Sequence, residues 1–210
     1  MRAGRAAALL LTLSLGLLAG CSGQTEGAPS SSGDLQSSSS GLPEGVPHVT
    51  EPLDVAAFEK RPCALVERDA IASIGDLGSG TPDVNSADAK RLVGPSCNWS
   101  SDKSVLSISV VIGTVHRDYG SGGIKGVYAG KEQGLIEYID EVTVPGHPGY
   151  PAAFSGVTDE RAEGEYSLKV GVTDNLLITV SSTDWKHPTD ARSSALKVAA
   201  SVLDTLKKGS

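Results

Sequence analysis

The chain has 210 residues with 25 acidic and 18 basic side chains, which gives a formal net charge of −7 at pH 7. This acidic balance lacks the basic patch that nucleic-acid binding requires, so we expect no nucleic-acid partner. It also repels anionic lipid headgroups, so attachment to a membrane would need an anchor other than surface charge. Aromatic residues make up only 4% of the chain, and the core must therefore rest on Val, Ile, Leu and Ala.

The N-terminal segment has the pattern of a secretory signal peptide. Arg2 and Arg5 form a basic start, and residues 6–18 form an apolar run. A short basic region, an apolar stretch of about 7–15 residues and small residues before the cleavage site are typical of exported proteins. A membrane-spanning helix needs about 20 apolar residues, so a permanent span is disfavoured. We predict a signal peptide over residues 1–20.

The residues that end this segment, Leu18-Ala19-Gly20-Cys21, resemble the lipobox of bacterial lipoproteins. That resemblance implies that the Cys21 thiol receives a diacylglycerol and becomes the first mature residue. The alternative is an ordinary signal peptide followed by a chance cysteine, but the Ala-x-Ala pattern of such a cleavage site is absent here. Two or more acyl chains, such as palmitate, hold a protein stably on a membrane. We therefore expect a lipid-anchored protein on the extracytoplasmic face of the cell membrane.

The stretch after Cys21 is rich in Ser, Gly and Pro, with serine runs at residues 30–32 and 37–40. Such a composition cannot bury enough apolar surface to fold. We predict a lipidated, disordered tether over residues 21–50. The length that remains suits one folded domain over residues 51–210.

Two cysteines remain besides Cys21, namely Cys63 and Cys97. In an oxidising compartment an even pair favours a disulfide bond. A metal site or a catalytic thiol is the alternative, but the pair lacks the Cys-x-x-Cys spacing that zinc sites use. We predict a disulfide between Cys63 and Cys97.

The first part of the domain predicts one short helix and a loop. Pro62 can begin a helix, because the first turn has no use for the backbone N–H that proline lacks. Apolar residues from Val66 to Ile74 then recur at helical spacing, and Gly75 is placed to end the helix. Residues 77–88 are rich in turn-forming residues and predict an irregular surface loop.

Alternating apolar and polar residues predict strands in the middle of the chain. Residues 105–115 show this alternation, which is typical of a half-buried strand. The same alternation in residues 166–173 and 176–180 predicts a hairpin whose two-residue loop is Asp174-Asn175. Shorter strand candidates are residues 142–144 and 150–154.

The chain ends in a strongly amphipathic pattern. Thr189 is a suitable N-cap, and Asp190 places a negative charge in the first turn, where it is favourable. Apolar residues from Ala195 to Leu206 then form one stripe. A short helix, a series of strands and a terminal helix predict an α+β fold. In this fold an antiparallel sheet carries the short N-terminal helix and the long C-terminal amphipathic helix.

Glycines are concentrated in one segment that could serve a function. The free backbone N–H groups of residues 120–123 could bind an anion, but P-loop and dinucleotide patterns are absent, and a plain turn is the competing interpretation. Glycines also recur every four residues, at Gly122, Gly126, Gly130 and Gly134. On a helix this spacing indicates either close backbone packing or a loosely formed segment, since each glycine costs about 1 kcal/mol relative to alanine.

Acidic residues and histidines provide the remaining candidates. A cluster of acids could attract calcium, although the EF-hand spacing is absent and a solvated loop is the alternative: Asp159, Glu160, Glu163 and Glu165. The histidines are scattered, and they are His48, His116, His147 and His187. Neither a His-x-x-x-His pair nor a Gly-x-Ser-x-Gly elbow occurs. We predict no catalytic, metal or cofactor site, although a catalytic triad built from distant residues stays open.

Three motifs occur in order along the domain: Pro62-Cys63-Ala64-Leu65, Cys97-Asn98-Trp99 and Gly149-Tyr150-Pro151-Ala152. This order resembles the actinobacterial lipoproteins of family DUF3558, a domain of unknown function, over residues 53–206. The resemblance implies a compact α+β domain, similar to the Mog1/PsbP-like architecture, and no catalytic residues to carry over. Many members place a further cysteine where this chain has Tyr166, so any second disulfide is lost.

These features leave three hypotheses for function. The first is a non-enzymatic binding or scaffolding module, held at the membrane through Cys21, that contacts another envelope protein. The long tether and the absence of a catalytic pattern favour it. The second is a carrier or sensor of a lipid or another apolar small molecule, because aliphatic strands with few large side chains could enclose a space. The third is a hydrolase with an unrecognised site, which would need a polar cleft around His116 or His147.

Overall fold

A computed structural model describes residues 45–209 of the chain. The predicted signal peptide, the lipidation site Cys21 and the tether up to residue 44 lie outside the described residues. The chain is already packed before residue 51, the predicted start of the domain, because Val46 and Val49 are both buried. Within residues 45–209, no helix is both long enough and apolar enough to cross a membrane.

One antiparallel sheet of seven strands organises the part of the chain that the structure describes. The strands are β1 Thr81–Asp83, β2 Ser96–Ser100, β3 Ser107–Ile112, β4 Tyr138–Val142, β5 Ala152–Gly156, β6 Glu165–Thr173 and β7 Leu176–Thr183. Their order across the sheet is β1-β2-β3-β7-β6-β5-β4. The predicted hairpin is confirmed as β6–β7, with Thr173 paired with Leu176. It forms the centre of the sheet, where strands have neighbours on both sides.

Helices cover both faces of this sheet. Within residues 45–209 the α-helices are α1 Arg68–Ala72, α2 Ala87–Arg91, α3 Thr114–Asp118, α4 Ile124–Glu132 and α5 Pro188–Gly209. The same residues contain short 3₁₀ helices at Ala56–Phe58, Pro62–Leu65 and Arg161–Glu163. The long helix α5 lies on one face, which we call the inner face. There Ile178 and Val180 of β7 share a core with Leu203 and Leu206 of α5, and all four side chains are fully buried. The predicted α+β fold is confirmed.

A second, smaller apolar cluster lies on the opposite face of the sheet, which we call the outer face. It is formed by Val46 with Ile124 and Val127 of α4, and Leu177 of β7 packs against it. Leu177 and Ile178 are neighbours in one strand, so their side chains point to opposite faces. The domain therefore has three layers, in the order α5, sheet, and α4 with the N-terminal residues.

The predicted helix from Pro62 to Gly75 is wrong in one respect, because the structure divides it. The 3₁₀ helix Pro62–Leu65 ends at Val66, which is extended, and α1 begins at Arg68. In the break, the backbone N–H of Glu67 donates to Ser201 Oγ of α5 at 3.1 Å. A contact with α5, which no local pattern reports, thus compensates for the lost helical hydrogen bonds.

Several element boundaries also differ from the predicted ones. The predicted loop at residues 77–88 contains the edge strand β1 and the start of α2, where Ser86 Oγ accepts a hydrogen bond from the Ala89 N–H at 3.0 Å. The helix α5 begins at Pro188, just before its predicted N-cap Thr189, because proline suits the first helical turn. Strand β3 is shorter than predicted, since α3 begins at Thr114.

Candidate functional site

Cys63 and Cys97 form a disulfide, with their Cα atoms 5.0 Å apart and a sequence separation of 34. The bond links the 3₁₀ helix Pro62–Leu65 to strand β2, and Cys97 is fully buried. Both sulfurs are therefore engaged in a structural cross-link. They are unavailable as a catalytic thiol or as metal ligands.

The histidines occupy separate places in the domain. His147 is buried, His116 belongs to α3, and the other two lie on exposed loops. Three have an aspartate oxygen nearby: His48 Nδ1–Asp174 Oδ2 at 3.4 Å, His147 Nε2–Asp204 Oδ1 at 3.2 Å and His187 Nδ1–Asp184 Oδ2 at 3.4 Å. Within residues 45–209, no hydroxyl or thiol is hydrogen-bonded to a histidine ring, so this part holds no nucleophile–base pair of the usual geometry.

The acidic loop around Asp159 is held together by an arginine. Arg161 donates from Nε and Nη2 to the two carboxylate oxygens of Asp159, at 2.7 and 2.6 Å. These hydrogen bonds lower the pKa of Asp159. Glu165 accepts a hydrogen bond from the Trp185 indole at 3.2 Å. In the region that the structure covers, no group of three His, Cys, Asp or Glu side chains is arranged to hold a metal ion.

The glycine loop, residues 119–123, packs against the turn of the central hairpin. Gly123 has a φ of +74°, which only glycine adopts readily. A Cβ atom on Gly123 would overlap the carbonyl of Asp174, and one on Gly122 would overlap the carbonyl of Asn175. Of the glycines that recur every four residues, Gly122 therefore allows close packing of two backbones, whereas a Cβ on Gly134 would meet no atom within 4 Å.

The Asp174-Asn175 turn holds three segments of the outer layer together. Asp174 Oδ1 accepts the backbone N–H of Val49 at 3.0 Å, and this hydrogen bond is the main reason why the pKa of Asp174 is lowered. Asn175 Oδ1 accepts a hydrogen bond from Lys125 Nζ of α4 at 2.5 Å. The glycine loop contacts the backbone of the same turn. The turn thus fixes the position of α4 above the sheet.

A cleft of about 270 Å³ lies between the outer face, α3, the glycine loop and α4, and we call it the Lys169 cleft. Its volume is close to the lower end of the range for ligand pockets, which is about 300–1,000 Å³. Its walls are mainly apolar: Val93, Val111, Val127, Ile136 and Leu177. Glycines form part of the rim, and its polar side chains are His116, Ser121, Lys169 and Thr179.

Strand register explains how three of these side chains come together. Val111 of β3 pairs with Thr179 of β7, and Thr179 pairs with Lys169 of β6. Directly paired residues of adjacent antiparallel strands project to the same face, so these three side chains form one row across the sheet. The row lies on the outer face and forms part of the cleft wall.

Lys169 is the unusual group of the cleft. Its Nζ donates hydrogen bonds to Ser167 Oγ at 3.0 Å and to Thr179 Oγ1 at 3.3 Å. No carboxylate of residues 45–209 lies within 4.0 Å of this nitrogen. Burial lowers the pKa of Lys169 to about 8, because loss of water disfavours the charged amine. In sequence, this lysine looks like an ordinary polar residue of a half-buried strand, so nothing singles it out.

Larger cavities lie elsewhere in residues 45–209. One, of about 350 Å³, is lined by Tyr128 and Glu141, whose side chains are hydrogen-bonded to each other. Burial and this hydrogen bond raise the pKa of Tyr128 to about 12. Another, of about 530 Å³, lies beside Trp99 at the edge of the sheet, and its charged residue, Arg68, is exposed to water. A third, of about 350 Å³, lies along α4, and its charged residue, Lys125, is hydrogen-bonded to Asn175.

Comparison with known proteins identifies a family. The model of the family described as "Protein of unknown function (DUF3558)" matches residues 16–205. No curated protein and no solved structure matches the chain, so the similarity to the Mog1/PsbP-like architecture stays a prediction. Because the family model spans most of the sequence, the chain belongs to the DUF3558 family of proteins of unknown function.

Proposed function

We propose that this protein is a non-enzymatic binding module, anchored outside the cell membrane through Cys21, that holds an apolar small molecule in the Lys169 cleft. The observation that carries the proposal is the cleft itself, whose walls are mainly apolar side chains on a rigid sheet and helix. Ligand pockets usually combine such walls with a few polar groups that orient the ligand. Lys169 and Thr179 would be those groups.

The packing of the domain favours this function over the simple scaffolding hypothesis. The inner face of the sheet is filled by α5, and its apolar side chains are buried in one core. An apolar ligand would therefore bind on the outer face, outside that core. The glycine loop and α4 form the opposite wall there, and the Asp174-Asn175 turn holds them in place.

Binding can be tested with N-phenyl-1-naphthylamine, a neutral dye that fluoresces in apolar sites. We would titrate it into the full chain carrying Cys21→Ser and into the same chain with Val93→Glu. Val93 lines the cleft and is 39% exposed, so a glutamate there should leave the fold intact and make the wall polar. We expect saturable binding that weakens at least about tenfold in the variant, since burying an unpaired charge is costly.

Val157→Glu is the matched control, because Val157 is 75% exposed and does not line the cleft. It should bind the dye as the parent does. Saturable binding that Val93→Glu leaves unchanged would overturn the assignment of the cleft, and absence of saturable binding would overturn the small-molecule function.

The membrane anchor needs a separate test. In cells of the source organism fed an alkyne-bearing palmitate analogue, the wild-type chain should be labelled and should sediment with membranes. Cys21→Ala should lose the label, because the thiol is the acceptor, whereas Ser22→Ala should keep it. An unlabelled wild-type chain, or a labelled Cys21→Ala chain, would contradict lipid anchoring at this residue.

A further inference from the structure

The Lys169 side chain is partly buried and has no carboxylate of residues 45–209 within ion-pair distance. Lys103 lies 2.6 Å from Asp76, and Lys208 lies 2.6 Å from Glu67, although both pairs are exposed to water. Lys169 is less exposed than either and has only two hydroxyl groups as neighbours. An ammonium group that is partly removed from water without a counter-charge is unfavourable. The arrangement therefore leaves a position for an anion.

The hydrogen-bonding capacity around Lys169 also suits an anion. An ammonium group has three N–H donors, of which Ser167 and Thr179 use two. Thr179 Oγ1 accepts from Nζ and keeps its own O–H to donate, whereas the Ser167 hydroxyl also shares a hydrogen bond with Ser181 Oγ at 3.4 Å. The third N–H of the ammonium and the Thr179 O–H thus leave two donors at one point of the sheet surface. A carboxylate, with two oxygens and one charge, matches this number of donors and this single positive charge.

The rest of the cleft favours a hydrocarbon chain beside that carboxylate. The wall residues Val111, Val127 and Leu177 offer no hydrogen-bonding side chains, and the glycines of the rim leave room without adding polar side chains. A volume of about 270 Å³ is small for a lipid with two acyl chains. A free inorganic anion would leave these apolar walls without a partner.

We propose that the Lys169 cleft binds a single-chain fatty acid, with its carboxylate on the Lys169 ammonium and its hydrocarbon chain along the apolar wall. This inference rests on the proposed function, because it names the ligand class of the same site. Lys169 and Thr179 hold the head, and the wall formed by α4 and β7 covers the chain. Charge complementarity at the head distinguishes a fatty acid from a neutral alcohol of the same length.

The test compares dodecanoate with 1-dodecanol as competitors of the neutral dye, both below the concentrations at which they form aggregates. The full chain carrying Cys21→Ser should bind dodecanoate at least about tenfold more tightly at pH 7, since charge-assisted hydrogen bonds are strong in sites with little water. Lys169→Met should abolish this preference, because it removes the charge that distinguishes the carboxylate from the alcohol. Lys169→Arg should keep part of the preference.

Lys131→Met is the matched control, because Lys131 lies on α4, does not line the cleft and donates instead to the Glu137 carbonyl at 2.6 Å. It should keep the full preference for dodecanoate. Equal affinities of the two competitors for the parent chain, or a preference that survives Lys169→Met, would overturn the inference while dye binding still supports the proposed function. Vesicles of a diacyl phosphatidylglycerol that compete as well as dodecanoate would overturn the single-chain assignment.

A pH series adds a second readout. The preference for dodecanoate should fall as pH rises above about 8, when Lys169 loses its proton. His116 is the other titratable side chain of the cleft, so the series is repeated with His116→Asn, and the fall should persist. Other charged or ionisable side chains of α3 and α4 do not line the cleft or have partners of their own. Arg117 pairs with Glu59, Lys125 with Asn175 and Tyr128 with Glu141. A pH-independent preference would contradict the role of the ammonium.

Discussion

The two faces of the central sheet are covered in different ways. On the inner face, one long helix buries an almost wholly apolar surface, in which Val180, Leu168 and Leu203 are fully inaccessible. On the outer face, the same strands present serine, threonine and one lysine, and a short glycine-containing helix covers only part of them. The inner face therefore accounts for most of the stability, whereas the outer face has room for a ligand. Each strand serves both faces because its side chains alternate.

Removing the disulfide should lower the free energy of unfolding more than the other changes proposed here. Its buried cysteine, Cys97, belongs to the core of the inner face. Replacing both Cys63 and Cys97 by alanine should lower the free energy of unfolding by about 3.5 kcal/mol, because the cross-link closes a loop of 34 residues in the unfolded chain. Urea unfolding with and without dithiothreitol measures it. The wild type should be sensitive to the reductant and the double variant should not. Equal sensitivity of the two proteins would contradict the disulfide.

Two leucine variants compare the packing of the faces directly. Leu203→Ala should cost about 3 kcal/mol of unfolding free energy, since its fully buried side chain leaves a cavity in the inner core. Leu177→Ala should cost about 1 kcal/mol, because this side chain is only partly buried and borders the cleft. Urea unfolding of both variants checks the contrast. Equal losses would show that the two faces are packed alike.

Two glycine variants test how tightly the glycine loop is held on the outer face. Gly120 and Gly123 both have a φ of +74°, but a Cβ on Gly123 would overlap Asp174, whereas one on Gly120 meets no atom within 4 Å. Gly120→Ala should therefore cost about 1 kcal/mol for its conformation alone, and Gly123→Ala about 2–3 kcal/mol. Thermal and urea unfolding measure both. Similar costs would mean that the loop does not pack closely on the turn.

Lys169→Met should raise the free energy of unfolding by about 2 kcal/mol at pH 7. Such a gain would show that the buried amine destabilises the wild-type protein. Burial lowers the pKa of Lys169 from 10.5 to about 8, so at pH 7 the folded state holds a charged amine at a free-energy cost that the unfolded state does not have. The cost is fully present below pH 8 and disappears as the pH rises to 10.5. The advantage of the variant should therefore shrink over that range.

Urea unfolding of wild type and Lys169→Met at pH 7 and pH 10 provides the comparison. The difference between the two proteins matters here, because tyrosines and the other lysines titrate in both alike. A constant difference, or a variant less stable than wild type at pH 7, would show that Lys169 is not desolvated. In that case the outer face would resemble an ordinary solvated surface.

Local patterns predicted the elements that the structure confirms with least change. The hairpin β6–β7 follows from strict alternation on both sides of Asp174-Asn175, and α5 follows from its apolar stripe. Both patterns report burial on one face, and burial repeats with the period of the backbone. The division of the helix at Val66 escaped prediction, because its cause is a hydrogen bond to Ser201, far away in sequence.

The candidate site was less accessible to sequence reasoning than the fold. The glycine pattern near residues 120–123 pointed to the right segment, but it indicated an anion site or close packing without naming the partner. The partner is the hairpin turn, whose Asp174 and Asn175 were assigned only to the hairpin loop. Lys169 carried no signal, because a lysine at a polar position of a strand normally faces water.

The amino-acid sequence by itself determined the strand and helix periodicity, the cysteine pair and the α+β class. These properties depend on residue types at short, regular spacing and on one even pair of cysteines. The tertiary structure decided which polar strand positions lie under α4 and which stay open to water. That outcome depends on strand register and on contacts such as Asn175 with Lys125, which are 50 positions apart in sequence. A desolvated Lys169 results from where these distant segments meet.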